Sequence, residues 1–388
     1  MHPQSTAPIP RAFHKRTLHR IRVPHARGIF VFAARVGYQG TQPQSRLFNL
    51  SEVAAATESK DRVPRPSFAR AGYHDRQPPA PTVYSTQQMI RILGTTFAGL
   101  LGLAFGSFLN VCLTRWPEDE SVVHPRSHCR NCDHTLAWWE NIPFISWLFL
   151  RGSCRKCHTW IGIRYPLVEL SIGVLWAIYA SRSLILIQNL LILGTFPIRW
   201  IEIEALHLIG NLVFTWLLVA LMFLDAEHLW LPNKLTLPGI LLGFIYRFVD
   251  FLFDHSFSLQ QPDTIRSISA TLLIQVFAIL VAAGIVLLIR WIYKLIRHRE
   301  GIGLGDAKLM ALLAAWLGLP LTLLTFVIST FLGAVASLIL LAVPSARADD
   351  ESWATSKLPF GTFLCIGGII SSLWGQPIVD AYLRSFGF

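Results

Sequence analysis

Long apolar stretches, each ended by a cluster of charge, dominate the chain beyond residue 89. Ile92 to Leu113 carries no charged residue, and neither does Ile268 to Ile289. A hydrocarbon core is crossed by about 20 apolar residues in helical form, so each stretch reads as a membrane span. Further spans read at 165–181, 205–224, 236–249 and 360–378. Leu309 to Ala346 is uncharged over 38 residues, too long for one span. Gly318-Leu319-Pro320 supplies a break within it. The pattern predicts an all-α, polytopic membrane protein of about eight transmembrane helices. Ser183 to Phe196 reads either as a ninth, short span or as an interfacial helix.

Residues 1–88 break this pattern. They hold 10 of the 22 prolines and no cysteine, and runs such as Pro78-Pro79-Ala80-Pro81 sustain neither helix nor ladder pairing. Their one apolar run, Gly28 to Ala34, is too short to span a bilayer and is followed by no small-residue cleavage site. Charge separates the two regions as well. The chain of 388 residues has a formal net charge of +11, a value that by itself suggests nucleic acid or an anionic surface as partner. Residues 1–88 hold 13 Lys and Arg against 4 Asp and Glu, whereas the rest holds 21 against 19. The basic excess therefore belongs to the extension, and no nucleic acid is expected as partner. The extension reads as disordered or non-native, with Met89 as the expected biological start.

Basic loops orient the spans. The 114–164 loop carries seven Lys and Arg, and Arg290 to Lys308 carries five. Both belong on the cytoplasmic side. The parity of the intervening spans closes if 183–196 does not cross the membrane. Asp225 and Asp306 then share the cytoplasmic face. In the same arrangement the basic extension would lie outside, against the positive-inside tendency.

Two CxxC pairs, Cys129-Arg-Asn-Cys132 and Cys154-Arg-Lys-Cys157, lie in the 114–164 loop, separated by 21 residues. Each CxxC turn aims two thiolates at one point, and four close a tetrahedron around zinc. A short loop between membrane helices has little core of its own, so a metal would supply its folding free energy. A reducing cytosol argues against the alternative, two disulfides or a redox pair. The loop is thus expected to be zinc-ribbon-like. His124, His128, His134 and His158 are nearby but unneeded as ligands. Cys112 and Cys365 fall within apolar spans and read as core residues.

Asp225 follows the apolar run Ala205 to Leu224, and Asp306 ends Gly301-Ile-Gly-Leu-Gly-Asp306. Carboxylates at a membrane edge are expensive when dehydrated and mark function by default. Two that meet in a partly dry site cannot both ionise easily. One then activates water while the other supplies a proton. Gly303 and Gly305 remove side chains beside Asp306, which admits a substrate backbone and allows the loop positive φ. Asp306 alone also fits a helix N-cap.

These residues resemble the type IV prepilin leader peptidase family. The matching strings are Gly106-Ser-Phe-Leu-Asn110, the two CxxC pairs, Asn141-Ile-Pro-Phe-Ile-Ser146, Leu150-Arg-Gly-Ser-Cys154 and Arg164-Tyr-Pro-Leu-Val-Glu-Leu170. Asp225, Leu231-Pro-Asn233, Gly303-Leu-Gly-Asp306 and Leu358-Pro-Phe-Gly361 follow in the family's order. The resemblance implies a multi-pass enzyme of the bacterial inner membrane, with its active site at the cytoplasmic face. It implies cleavage of the short basic leader of prepilins or pseudopilins by Asp225 and Asp306. It implies methylation of the new N-terminus with S-adenosylmethionine, and structural zinc on Cys129, Cys132, Cys154 and Cys157. Membrane lipids surround such a protein. The implied organisation is an extension, 1–88; a methyltransferase-associated half, 89–181; a peptidase membrane domain, 205–343; and a C-terminal loop and last helix, 344–388.

The chain departs from the family pattern in places. Arg130 stands where proline is usual, Glu140 where aspartate is common, and Asn233 where many members carry a second aspartate. No Rossmann-type glycine signature identifies contacts to the methyl donor. Glu169, a carboxylate just inside a span, is the candidate for that half, against a paired or snorkelling role. Presenilin-like and signal-peptide-peptidase-like proteases also pair an aspartate with GxGD, but they lack the cysteine loop. A non-enzymatic zinc-ribbon scaffold or transporter would need no paired aspartates, and a transporter would show inverted repeats.

Overall fold

The computed structural model describes residues 81–193, 199–255, 264–298, 303–342 and 358–385. The extension up to residue 80, residues 194–196 of the ambiguous segment and the 344–357 loop lie outside the described residues. Nine α-helices form among the described residues: α1 (Pro81–Arg115), α2 (Ile145–Phe149), α3 (Arg164–Leu193), α4 (Arg199–His228), α5 (Asn233–His255), α6 (Thr264–Arg297), α7 (Leu304–Leu317), α8 (Leu319–Ala342) and α9 (Phe360–Ser385). No sheet forms among them; the only strand-like pairings are two isolated bridges in the cysteine loop.

Seven helices are long and apolar enough to cross a membrane: α1, α3, α4, α5, α6, α8 and α9. The eighth, α7, has 14 residues, about 21 Å at 1.5 Å per residue, and falls short of a full span. The break expected at Gly318 is present, with φ +76°. α7 is therefore a short helix enclosed by its neighbours, with every residue from Leu309 to Trp316 buried.

Two expectations change. Residues 183–193 continue α3 without interruption, so the ambiguous segment is neither a ninth span nor a separate interfacial helix over its described part. The run Ser183 to Leu193 contains no proline or glycine to stop the helix. The first helix starts at Pro81, within the stretch 1–88 read as a disordered or non-native extension, and runs on through the apolar run from Ile92. Proline suits a first helical position because its missing N–H has no partner there. The Gln87 carbonyl accepts a hydrogen bond from Gln188 Nε2 at 2.6 Å.

The core has two parts that share α4. One gathers Leu109, Cys112, Val168, Ile172, Val219 and Leu224 from α1, α3 and α4. The other gathers Phe214, Leu218, Leu221, Met310, Leu313 and Leu364 from α4, α7 and α9, with Cys365. Trp316 fixes the far end of α7. It stacks with Phe214 at 5.2 Å and Tyr246 at 5.3 Å, and donates to the Gly239 carbonyl at 2.9 Å. With one end of α7 pinned, its N-terminal turn, which carries Asp306, has a set position. α4 ends at His228, three residues past Asp225.

Candidate functional site

Asp225 and Asp306 come together. Residue Asp225 is 5% exposed and Asp306 8%, and both line one cleft of about 570 Å³. Leu231, Asn233, Gly303, Gly305 and Lys308 complete much of its wall. Each carboxylate meets a helix N-terminus, where free N–H groups and the helix dipole favour negative charge. The first turn of α9 serves Asp225. Thr362 N–H donates to Asp225 Oδ2 at 2.6 Å, and the Thr362 hydroxyl lies 3.2 Å from the same oxygen. Asp306 sits in the first turn of α7 and accepts the Gly303 N–H at 3.2 Å. The N-cap of α7 is Gly303 rather than Asp306; Asp306 is the third helical residue, whose carboxylate reaches back to the N-cap N–H and also faces the cleft.

The glycines act differently from expectation. Gly303 is extended, with φ −74° and ψ 153°, and Gly305 lies within α7; neither has positive φ. Proximity is what favours glycine at 305: a Cβ there would lie 3.1 Å from the Leu231 Cβ, and Leu231 would have to give way. Leu231 belongs to the segment after α4, so Gly305 lets that segment close against the first turn of α7. Both glycines line the cleft.

Sequence reasoning missed several contacts. Gly361 was legible only as the end of a matching string and Thr362 not at all, yet both adjoin Asp225. A Cβ at Gly361 would come within 2.8 Å of Asp225 Oδ2. Lys308 Nζ donates to Asn233 Oδ1 at 2.6 Å, so the position where family members often carry aspartate here offers a neutral acceptor to a cleft lysine. Asp119 pairs with Lys234 at 2.8 Å, and the hydrogen bond and charge of Lys234 hold its carboxyl below the usual range. Glu118 pairs with Arg130 at 3.2 Å. The Glu118-Asp119-Glu120 run is thus partly occupied by surface ion pairs.

The four loop cysteines also converge. Their Sγ atoms lie within 4.8 Å of one another, with Cys129–Cys157 at 3.7 Å and Cys132–Cys154 at 3.9 Å. Tetrahedral thiolates about 2.3 Å from zinc stand about 3.8 Å apart, so the set fits that ion. Disulfide sulfurs would be about 2.05 Å apart, and all six cysteines are free. The pairs sit in matching turns. Cys129 N–H donates to the His134 carbonyl and Asp133 N–H to the Cys129 carbonyl; Cys154 N–H donates to the Thr159 carbonyl and His158 N–H to the Cys154 carbonyl. Asp133 and His158 both take positive φ. This turn places no demand on the residue after the first cysteine, so Arg130 is accommodated in place of proline. Cys112 and Cys365 are buried in the helical core, as expected.

Glu169 is buried on α3 and accepts the Phe144 N–H at 2.6 Å. It lies beneath the cysteine loop rather than in the aspartate cleft. Arg164 joins the two regions: its guanidinium donates to Glu227 on α4 at 2.7 Å and to the Thr114 hydroxyl at 2.8 Å.

Fold and site together define a polytopic helical membrane protein of the kind that sets two carboxylates in one cleft, with a four-thiol centre in a loop between its first long helices. Residues 100–183 match the Bacterial Peptidase A24 N-terminal domain, and residues 212–338 match the Type IV leader peptidase family. The chain belongs to the type IV leader peptidase family. It is 33% identical over 308 residues to the prepilin leader peptidase/N-methyltransferase of Stutzerimonas stutzeri, covering 74% of this chain and 92% of that protein. It is 34% identical over 312 residues to its namesake in Pseudomonas aeruginosa, covering 74% and 93%. The Myxococcus xanthus protein of that name is 35% identical over 272 residues, 69% of each chain. No solved structure matches this chain.

Proposed function

We propose that this enzyme removes the short basic leader of type IV prepilins or pseudopilins at the cytoplasmic face of the bacterial inner membrane, and then methylates the exposed N-terminal amine. The observation that carries the reading is the convergence of Asp225 and Asp306, both buried, on one open cleft. Family membership and the names of the relatives support it.

In this reading one carboxylate takes a proton from water as the water oxygen bonds to the scissile carbonyl carbon. The other, protonated, carboxyl gives its proton to the carbonyl oxygen. Collapse of the tetrahedral intermediate breaks the C–N bond, and the leaving amine takes a proton from the pair. The dyad titrates as a unit. Thr362 and Gly303 stabilise the ionised forms through their N–H groups. Lys308 and Lys234 line the same cleft and offset part of its negative charge.

The four thiolates hold structural zinc, which supplies folding free energy to the loop. S-adenosylmethionine is the methyl donor. Residues 89–181 carry the methyltransferase-associated half and 205–343 the peptidase domain, with lipid around the long helices and no nucleic acid as partner. A prepilin cleavage assay in membranes tests the peptidase assignment. Asp225→Asn and Asp306→Asn are each expected to lower the rate at least a thousandfold while the protein remains inserted, about 4 kcal/mol of transition-state stabilisation. Cleavage at the wild-type rate by either variant would overturn the dyad.

A further inference from the structure

A second cavity, of about 1050 Å³, lies between the cysteine loop and the adjoining turns of α1 and α3. It is as large as the larger small-molecule sites, which run to roughly 1,000 Å³. One side is apolar, with Trp147 and Trp160 in edge contact at 5.8 Å, beside Leu136 and Ile161. The other presents oxygen acceptors. Asn110, 3% exposed, donates its Nδ2 to the Tyr165 carbonyl at 2.9 Å, which fixes the amide orientation; its Oδ1 meets no donor. Glu140, 7% exposed, accepts the Ala137 N–H on Oε2, which also lies 3.4 Å from His134 Nε2, while Oε1 meets no donor. Glu169, also 7% exposed, faces the same space. Phe144, which donates to Glu169, takes φ +59°, a conformation uncommon for a bulky residue. Buried acceptors left without donors cost free energy. Arg115 and Arg130 also line the cavity, but the first donates to the Ser121 and Pro125 carbonyls and the second pairs with Glu118, so the buried Glu169 carboxylate calls for a positive charge of its own.

We propose that this cavity receives the methyl donor, with the Glu169 carboxylate set against its sulfonium charge and the tryptophan side taking its base. The proposal rests on the methyltransferase reading above. A sulfonium nucleoside carries both features that the two walls call for, a cation and a flat aromatic ring.

Equilibrium dialysis of the full-length, zinc-loaded protein in detergent tests it, with labelled S-adenosylmethionine and the neutral thioether S-adenosylhomocysteine as probes. The wild type is expected to favour the sulfonium by about tenfold, a difference of about 1.4 kcal/mol. Glu169→Gln should erase that preference with zinc content and melting transition retained. An undiminished preference in Glu169→Gln overturns the assignment. A wild type that binds neither probe instead overturns the methyltransferase reading itself. If Glu169→Gln fails to fold, Glu140→Gln examines the same wall: a reduced preference supports the proposal and an unchanged one overturns it.

Discussion

The α9 N-terminus touches Asp225 directly. Thr362 offers two donors to one carboxylate oxygen, and the bare Cα of Gly361 leaves that oxygen its space. Gly361→Ala would force the carboxylate to shift, because a Cβ there would lie 2.8 Å from Asp225 Oδ2 and 2.9 Å from its Cγ. A loss of cleavage of at least tenfold is expected. Thr362→Val keeps the N–H and loses only the hydroxyl, worth about 1 kcal/mol, so a loss of tenfold or less is expected. Single-turnover cleavage of a prepilin peptide would separate the two. Asp225 and Asp306 were legible in sequence because a carboxylate at the edge of an apolar run is conspicuous. Thr362 was not, because it stands 137 residues from the aspartate it serves, in a threonine that any helix start could contain.

At the scale of elements, α1 and α3 form a seam set by glycine. A Cβ at Gly106 would lie 2.6 Å from the Glu169 Cα, and one at Gly102 would lie 2.9 Å from the Gly173 Cα. These are backbone contacts, which no rotamer change relieves. Small residues at such crossings allow close approach of membrane helices. Gly106→Ala is therefore expected to separate the helices and shift Glu169, lowering stability by about 1–3 kcal/mol. Methylation should fall more than cleavage, since the aspartate cleft draws no wall from α1 or α3. Thermal melting in detergent, with both activities assayed on one preparation, would check this. The spans themselves were readable, since an apolar run of sufficient length has few alternatives to a helix. The short, enclosed α7 was not. Its sequence is as apolar as a span, and only the break at Gly318 together with its surroundings distinguishes it.

Across the whole molecule, two polar links connect the cysteine-loop region to the aspartate region: Arg164 to Glu227 and Asp119 to Lys234. Surface pairs of this kind contribute about 0–1 kcal/mol each; the loop itself is tethered to α1 and α3 by the bonds of buried Arg115 to the Ser121 and Pro125 carbonyls and of Phe144 N–H to Glu169. Removing metal with a strong chelator is expected to open the loop, making residues 121–163 protease-sensitive and abolishing methylation. Cleavage should persist in large part, because the cleft is lined by α4, the turn into α5 and the start of α7, and by no residue of the cysteine loop. Metal analysis, limited proteolysis and the two activity assays would decide.

The basic excess of the chain, its apolar spans, the paired CxxC turns and the two edge aspartates are local facts. Residue type and spacing alone determine them. The carboxylate cleft, the helix N-termini that hold each aspartate and the cavity walled by Glu169, Glu140 and Asn110 join residues from distant segments. Close packing of helix on helix decides those, because an approach too close to admit a Cβ leaves no trace in the sequence beyond the glycine itself.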